Sequence, residues 1–555
     1  RVRAERQVTE GDGPLHELDA RVRAAAAVVH GPAGEPSAQI RVERSRREGQ
    51  GDYSTNAAML LAPVLDTAPR VIAERIGAEL SATLGDDLDR VEVAGPGFLN
   101  LFLSDTWHRA AVASVLGTGD RFGAGGASPA ERILIEFVSA NPTGPLVAAS
   151  GRHAAYGDAL ARILEYHGHT VGREYYFNDA GNQIRLLGES VRARARGADV
   201  PEDGYQGEYV VELAAEIAEA AERDVEEVAA EAVALMLAKI KATLERYGVR
   251  YDAFFSERTL HSGSPSAVER ALAALEQAGH VYRSEGALWL RTTSFGDDKD
   301  RVVVRSNGEP TYLAADVAYL LEKRERGYDR QLTPVGSDHH AYVRELKAAM
   351  AALGGDPDTV EVPILQFVHL VHEGEVFAMS KRRGDFVTLD DLLDAIGVDA
   401  TRFFMLRSSH DRTLDLDLEL ARKQSAENPV YYVQYAHARI ASMLRRLPQE
   451  RVAAALDPEA DWGGDGLHVA ERNLITKLAA FPEEIAEAAV RRTPHRITQY
   501  ALELSREFTS FYEVCRVVGA TPEPVESFRI ALSVAAQRTI ATSLGLLGVS
   551  APESM

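Results

Sequence analysis

At 555 residues, 45% apolar and 26% charged, the chain is long enough for several domains, each with a core of its own. Its one cysteine, Cys515, excludes an intramolecular disulfide and a multi-cysteine zinc site. A net charge of −22 argues against broad binding of DNA or other nucleic acid but leaves room for a local basic surface. The lack of a membrane-length apolar run or signal-peptide pattern sets the expectation of a cytoplasmic protein without a membrane partner.

Residues 1–108 read as a compact α/β domain: VRAAAAVV as helix, IRVERS as strand, Ala68 to Leu80 as helix, and VEVAGPGFLNLFLS as strand, turn and strand. Within it, GDYSTN offers Tyr53 and Asn56, an aromatic and an amide. Such a pair either stacks on and bonds to an unpaired base or packs between helices. Residues 109–398 read as a second, α/β domain that opens on RILIEFVSANPTGPLVAASGRHAAYGD. Ile133 to Val138 form a buried strand, Ser139 to Pro145 a loop, and the period turns helical from Gly151. That order either cradles an anion on free N–H groups at the helix start or is a plain structural turn.

VGREYYFND gives a second strand, and residues 200–300 interrupt the sheet with Ala/Glu-rich helices, expected to be solvated, and the strand pair HVYRSEGALWLRTT. RVVVRS opens the second half as a strand, and TYLAADVAYLLEKRER begins a helix. Four residues apart, Tyr312 and Asp316 share a face of it. DRQLTPVGSDHH is a strand running into a loop. EVPILQFVHLVHEGEVFAMSKRRG is a hairpin with a charged loop, and VTLDDLLDAIG a capped helix. From Asp399 the pattern is nearly all helical. Cys515 sits among apolar neighbours and is expected in a core.

IEFVSANPTGPL with the following Gly-Arg, TYLAAD, GSDHH, FAMSKRRG, DATRFF and NPVYYVQYAHARI together resemble arginyl-tRNA synthetases, a family of class I aminoacyl-tRNA synthetases, over essentially the whole chain. The resemblance implies an α/β fold: a Rossmann-like catalytic domain (109–398) with a connective insertion at about 200–300. An N-terminal appended domain (1–108) and an all-helical anticodon-binding domain (399–555) flank it. It implies ATP-dependent activation of L-arginine and transfer to the 3′ end of arginine tRNA, with Mg2+ arriving on the ATP and no protein metal site. A monomer is the expected state. By the same likeness, Glu136, Ser139, Asn141, Tyr312 and Asp316 are the arginine contacts. Gly144, Pro145, Ser150, Gly151, Asp338, His339, Met379, Ser380 and Lys381 stand on the ATP side, and Tyr53, Asn56, Tyr435 and His437 meet the tRNA.

The chain departs from the family at one place. The four residues that usually read His-Val-Gly-His are Val147, Ala148, Ala149 and Ser150. The expected replacement is a set made of Ser150, Arg152, His153 and the helix-start N–H groups, with Lys381 as the main catalytic cation; otherwise His153 packs or faces solvent. The competing function is a synthetase-like chain that binds tRNA or arginine without charging.

Overall fold

The computed structural model describes residues 13–31, 39–45, 49–337, 340–372, 375–376, 387–463 and 466–555. At the N-terminal end, helices Pro14–His30, Ala57–Leu65 and Pro69–Leu84 accompany a four-stranded antiparallel sheet. Its strands run in the order Val42–Arg44, Tyr53–Thr55, Phe98–Leu103, Leu88–Ala94. Ser104 starts the next helix, Asp105–Thr118, by accepting from the Trp107 N–H.

Five parallel strands form the centre of the catalytic region: β1 (Arg132–Glu136), β2 (Thr170–Phe177), β3 (Ala253–Ser256), β4 (Arg330–Leu332) and β5 (Val360–Glu361). They lie in the order β5-β4-β1-β2-β3. Helices α1 (Ser150–His167), α2 (Asn182–Ala195), α3 (Tyr312–Glu325) and α4 (His340–Ala352) make the crossovers with the insertion. Strand order reverses at β1, so the carboxyl ends of β1 and β4 part there and leave a crevice, where ligands of open α/β sheets bind. Gly157 of α1 lies so close to Phe137 that a Cβ would stand 2.2 Å from the ring. That contact fixes α1 against the loop leaving β1.

Three sequence expectations change. Ala253–Ser256, inside the stretch read as an interruption, is the edge strand β3 of the central sheet. RVVVRS does not join that sheet; Arg301–Val304 pairs antiparallel with Ala287–Leu290, which pairs with Val281–Ser284. The helix Val225–Arg246 is amphipathic rather than solvated: Val228, Ala232, Met236, Ile240 and Leu244 are buried, and Ala229 meets Gly188 of α2. Beyond residue 399 helices dominate, but Leu414–Asp417 is a strand beside Val368–His372. Cys515 is buried.

A fully buried ion pair joins the catalytic and C-terminal parts. Arg402 donates to Asp158 of α1 at 2.5 Å, to the Leu547 carbonyl at 2.8 Å and to the Tyr247 carbonyl at 3.1 Å, and both charged residues are 0% exposed. Further out, Arg492 grips Glu361 of β5 through two bonds of 2.8 and 2.9 Å.

Candidate active site

A cavity of about 390 Å³ opens at the crevice between β1 and β4. Its wall holds three carboxylates, Glu136, Asp316 and Glu257, with the amides of Asn141 and Gln331 and the phenols of Tyr176, Tyr312 and Tyr342. Asp316 accepts from the Tyr342 hydroxyl at 3.1 Å. Burial, reinforced by the nearby Glu136 and Glu257, pushes its carboxyl up to about 7. Tyr312 shares the helix face with Asp316 as its spacing predicts, but sits at the mouth with 74% of its surface exposed. Val138 and Ser139 leave β1 at φ of 67° and 43°, a conformation L-residues avoid and functional loops retain. The turn places the Ser139 hydroxyl to accept from the Tyr176 N–H at 3.1 Å. Asn141 is held on both sides, accepting from the Asn178 N–H at 3.2 Å and donating to Gln183 at 2.9 Å.

Glu136 lines the cavity as the family likeness expects, and as a buried carboxylate it also has partners within the chain. Lys323 donates to Oε2 at 2.7 Å and Thr333 to the same oxygen at 3.3 Å. Lys323, Thr333, Gln331, Tyr342 and Glu257 complete the site, and none was singled out from the sequence. Glu257 was hidden because β3, the strand it directly follows, read as insertion. Lys323 had a signal: Tyr312, Asp316, Tyr319 and Lys323 fall at helical spacing on one face of α3.

The phosphate side is built otherwise. The helix-start N–H groups expected to serve an anion are already engaged. Those of Ser150, Gly151 and Arg152 bond to the carbonyls of Val147, Ala148 and Ala149 at 2.8, 3.0 and 3.1 Å. The Ala148 N–H goes to the Val387 carbonyl at 2.9 Å, while Leu389 donates to the Leu146 carbonyl at 2.8 Å. Small apolar side chains at 147–149 let this segment zip onto residues 387–389. Gly151 is a packing residue: a Cβ there would lie 2.9 Å from Leu389, and its carbonyl accepts from Tyr247 at 3.2 Å. Ser150 stays half-buried at the helix start.

Arg152 is not an ATP contact in this arrangement. It is 2% exposed and clamps the carbonyls of Gln366 at 2.8 Å and Ser409 at 2.9 Å. Burial lowers its guanidinium to about 10. His153 lies in the wall of the 390 Å³ cavity, with the acidic groups. Gly144 is covered by Tyr209, whose hydroxyl donates to the Thr143 carbonyl at 2.9 Å. Pro145 lines a separate cavity of about 680 Å³ with Tyr209, Lys239 and Arg246. Asp338, His339, Met379, Ser380 and Lys381 lie outside the described residues. Among the described residues no group of three or more His, Cys, Asp or Glu is placed to hold a metal ion.

Of the four residues expected to meet tRNA, one is presented. Tyr435 is 40% exposed, stacks on Tyr431 at 6.1 Å, and carries the Arg439 guanidinium 4.8 Å above its ring. His437 is buried, with Nδ1 2.9 Å from the Pro552 carbonyl. Asn56 is spent on the backbone of Arg41 and Gln39. Tyr53 takes the packing alternative: it is 1% exposed and edge-on to Trp107, and burial pushes its phenol up. On the neighbouring strand Phe98 is 40% exposed. Arg491, Arg492 and Arg496 are paired with Glu487, Glu361 and Glu484.

A parallel sheet ordered 3-2-1-4-5 in reverse, an acidic pocket at its switch point and an appended helical domain define a class I aminoacyl-tRNA synthetase. The model of the "tRNA synthetases class I (R), catalytic domain" matches residues 111–441. The "Arginyl tRNA synthetase N terminal domain" matches 16–103, and the "DALR anticodon binding domain" 433–555. The chain is 45% identical over 530 residues to an arginine--tRNA ligase of Frankia alni, covering 93% of this chain and 95% of that protein. A putative arginyl-tRNA synthetase of Campylobacter jejuni superposes with a TM-score of 0.74 at 34% identity, over 82% of this chain and 100% of that one. The Thermus thermophilus arginyl-tRNA synthetase gives 0.77 at 25% identity, over 97% and 100%. This chain belongs to the arginyl-tRNA synthetase family.

Proposed function

We propose that the chain is an arginine--tRNA ligase that activates L-arginine with ATP and passes it to the 3′ end of arginine tRNA. The observation that carries this reading is the cavity with Glu136, Asp316 and Glu257 at the switch point of the sheet. Asp316 and Glu257 suit the guanidinium, since carboxylates accept its forked N–H pairs in a way lysine cannot copy. Glu136, held by Lys323, adds its charge beside them, and Ser139, Asn141 and Tyr312 close the rim. With the cation ends held, the substrate carboxylate attacks the α-phosphorus of ATP and pyrophosphate leaves. A 3′-terminal ribose hydroxyl then takes the arginyl group and AMP leaves. Mg2+ enters with ATP. The side-chain charge for the phosphates falls to Lys381, on the segment next to Val387, because the residues at 147–149 supply none.

Tyr435 with Arg439 is the stacking and phosphate surface for the anticodon arm, and Phe98 replaces Tyr53 as the exposed ring of the N-terminal domain. We place the domain limits near residues 108 and 398, and take the protein as a cytoplasmic monomer. Single-turnover charging of arginine tRNA at saturating ATP and arginine is the test. Arginyl-tRNA formation is expected. A chain that binds arginine tRNA tightly yet transfers nothing is instead a non-charging binder, the reading favoured by the engaged helix start.

A further inference from the structure

Three tyrosine hydroxyls hold the loop that leaves β1, at every third carbonyl. Tyr251 donates to the Phe137 carbonyl at 3.0 Å, Tyr175 to the Ala140 carbonyl at 2.7 Å and Tyr209 to the Thr143 carbonyl at 2.9 Å. Tyr175, 0% exposed in β2, stacks on Phe254 at 5.1 Å, and Tyr251 lies on the Phe137 ring at 4.5 Å. Tyr209 belongs to the helix Glu208–Glu216. Burial pushes all three phenols up, so each stays a donor. A trans peptide sets its N–H opposite its carbonyl. Each hydroxyl therefore turns one N–H away from itself, those of Val138, Asn141 and Gly144, and none of these has a hydrogen-bond partner among the described residues. Val138 and Ser139 bend at positive φ, and a strained turn of this kind persists only where its surroundings hold it. Val138, Ser139 and Asn141 all line the acidic cavity.

We propose that Tyr175, flanked by Tyr251 and Tyr209, is a positioning residue for the amino acid: its hydroxyl holds the Ala140–Asn141 peptide in the bend that presents Asn141 to the α-carbon end of arginine. The inference rests on the arginine-ligase reading above, in which Asp316 and Glu257 take the guanidinium and leave Ser139 and Asn141 to the other end of the molecule. A hydroxyl kept only for packing would serve the fold and not the ligand, and binding separates the two roles.

The test compares arginine with n-butylguanidine, which keeps the guanidinium and the carbon chain and lacks the α-amino and carboxylate groups, by calorimetric titration of the full chain. Tyr175→Phe removes one hydroxyl and keeps the ring. It is expected to weaken arginine roughly fivefold, the worth of one hydrogen bond, while n-butylguanidine stays within about twofold. In an Asn141→Ala background the same substitution should cost arginine less than about twofold, because the residue it positions is gone. Tyr209→Phe, at the outer end of the loop, carries the test if Tyr175→Phe fails to fold, with a loss of roughly threefold confined to arginine. Unchanged arginine affinity, equal loss of both ligands, or an undiminished loss in the Asn141→Ala background overturns the proposal. A wild type that binds arginine leaves the ligase reading intact whichever way the variants fall; a wild type that binds neither compound removes that reading, and the proposal with it.

Discussion

On the amino-acid side of the crevice, Glu136, Asp316 and Glu257 turn their charges to an open cavity. At the neighbouring start of α1, the backbone donors have found carbonyls of their own, at 147–149 and at 387. Side chains carried on strand ends and on a helix face keep part of their binding capacity, local donors reaching Glu136 through Oε2 and Asp316 through Oδ1. Backbone donors at a helix start do not: without polar side chains to hold the segment open, they bond to the nearest carbonyls. One half of the reaction centre is therefore preformed, and the other depends on what is brought to it.

The largest expected effect comes from the half that depends on an incoming group. Lys381→Ala should lower single-turnover charging by about 10²–10³, or about 3–4 kcal/mol, because a cation brought to the phosphates acts chiefly in the transition state. Arginine binding measured by calorimetry should not change; a parallel loss there would dissolve the division between the halves. Asp316→Asn attacks the preformed half, and should weaken arginine binding by about 2–4 kcal/mol while sparing ATP. Equal arginine affinities would remove Asp316 from the pocket.

A smaller effect follows from the Asp316 proton. In the empty pocket the folded chain keeps that proton from the ordinary 3.8 up to about 7. This group's contribution to stability therefore declines as pH rises through that window, and arginine, which binds the ionised form, restores it above 7. Arginine affinity should rise about tenfold from pH 6 to pH 8, with proton release on binding near pH 7; a flat profile in calorimetry at several pH values would show that Asp316 is already ionised. The smallest effect belongs to His153, in the first turn of α1, which lines the acidic cavity. His153→Ala should raise the KM for arginine by about 0.5–1.5 kcal/mol and leave the KM for ATP alone. A change confined to ATP would return this histidine to the phosphate side.

That the five residues expected at arginine share one cavity was legible because they are side chains at helical and strand spacings within IEFVSAN and TYLAAD. What the sequence hid is what backbone and packing decide. A glycine that binds phosphate and one that makes room for Leu389 look alike, as do an arginine that meets ATP and one that ties two loops together. Tyr53 reads equally as a base contact or a packing residue, and His437 as a tRNA contact only by the family likeness; the fold gives them Trp107 and the Pro552 carbonyl. Glu257 was missed for a topological reason, the strand it follows being separated from β2 by the insertion's helices.

The Arg402–Asp158 pair sets how the molecule comes apart. Pulling residues 399–555 away would carry Arg402 off with the Leu547 carbonyl and leave Asp158, in α1, without the guanidinium it is paired with. A buried charge left without its partner costs about 3–5 kcal/mol, a large share of the stability of any one domain. Heating should therefore melt the catalytic and anticodon-binding regions together in one transition. The three domains that the family models recognise are units of ancestry rather than of melting.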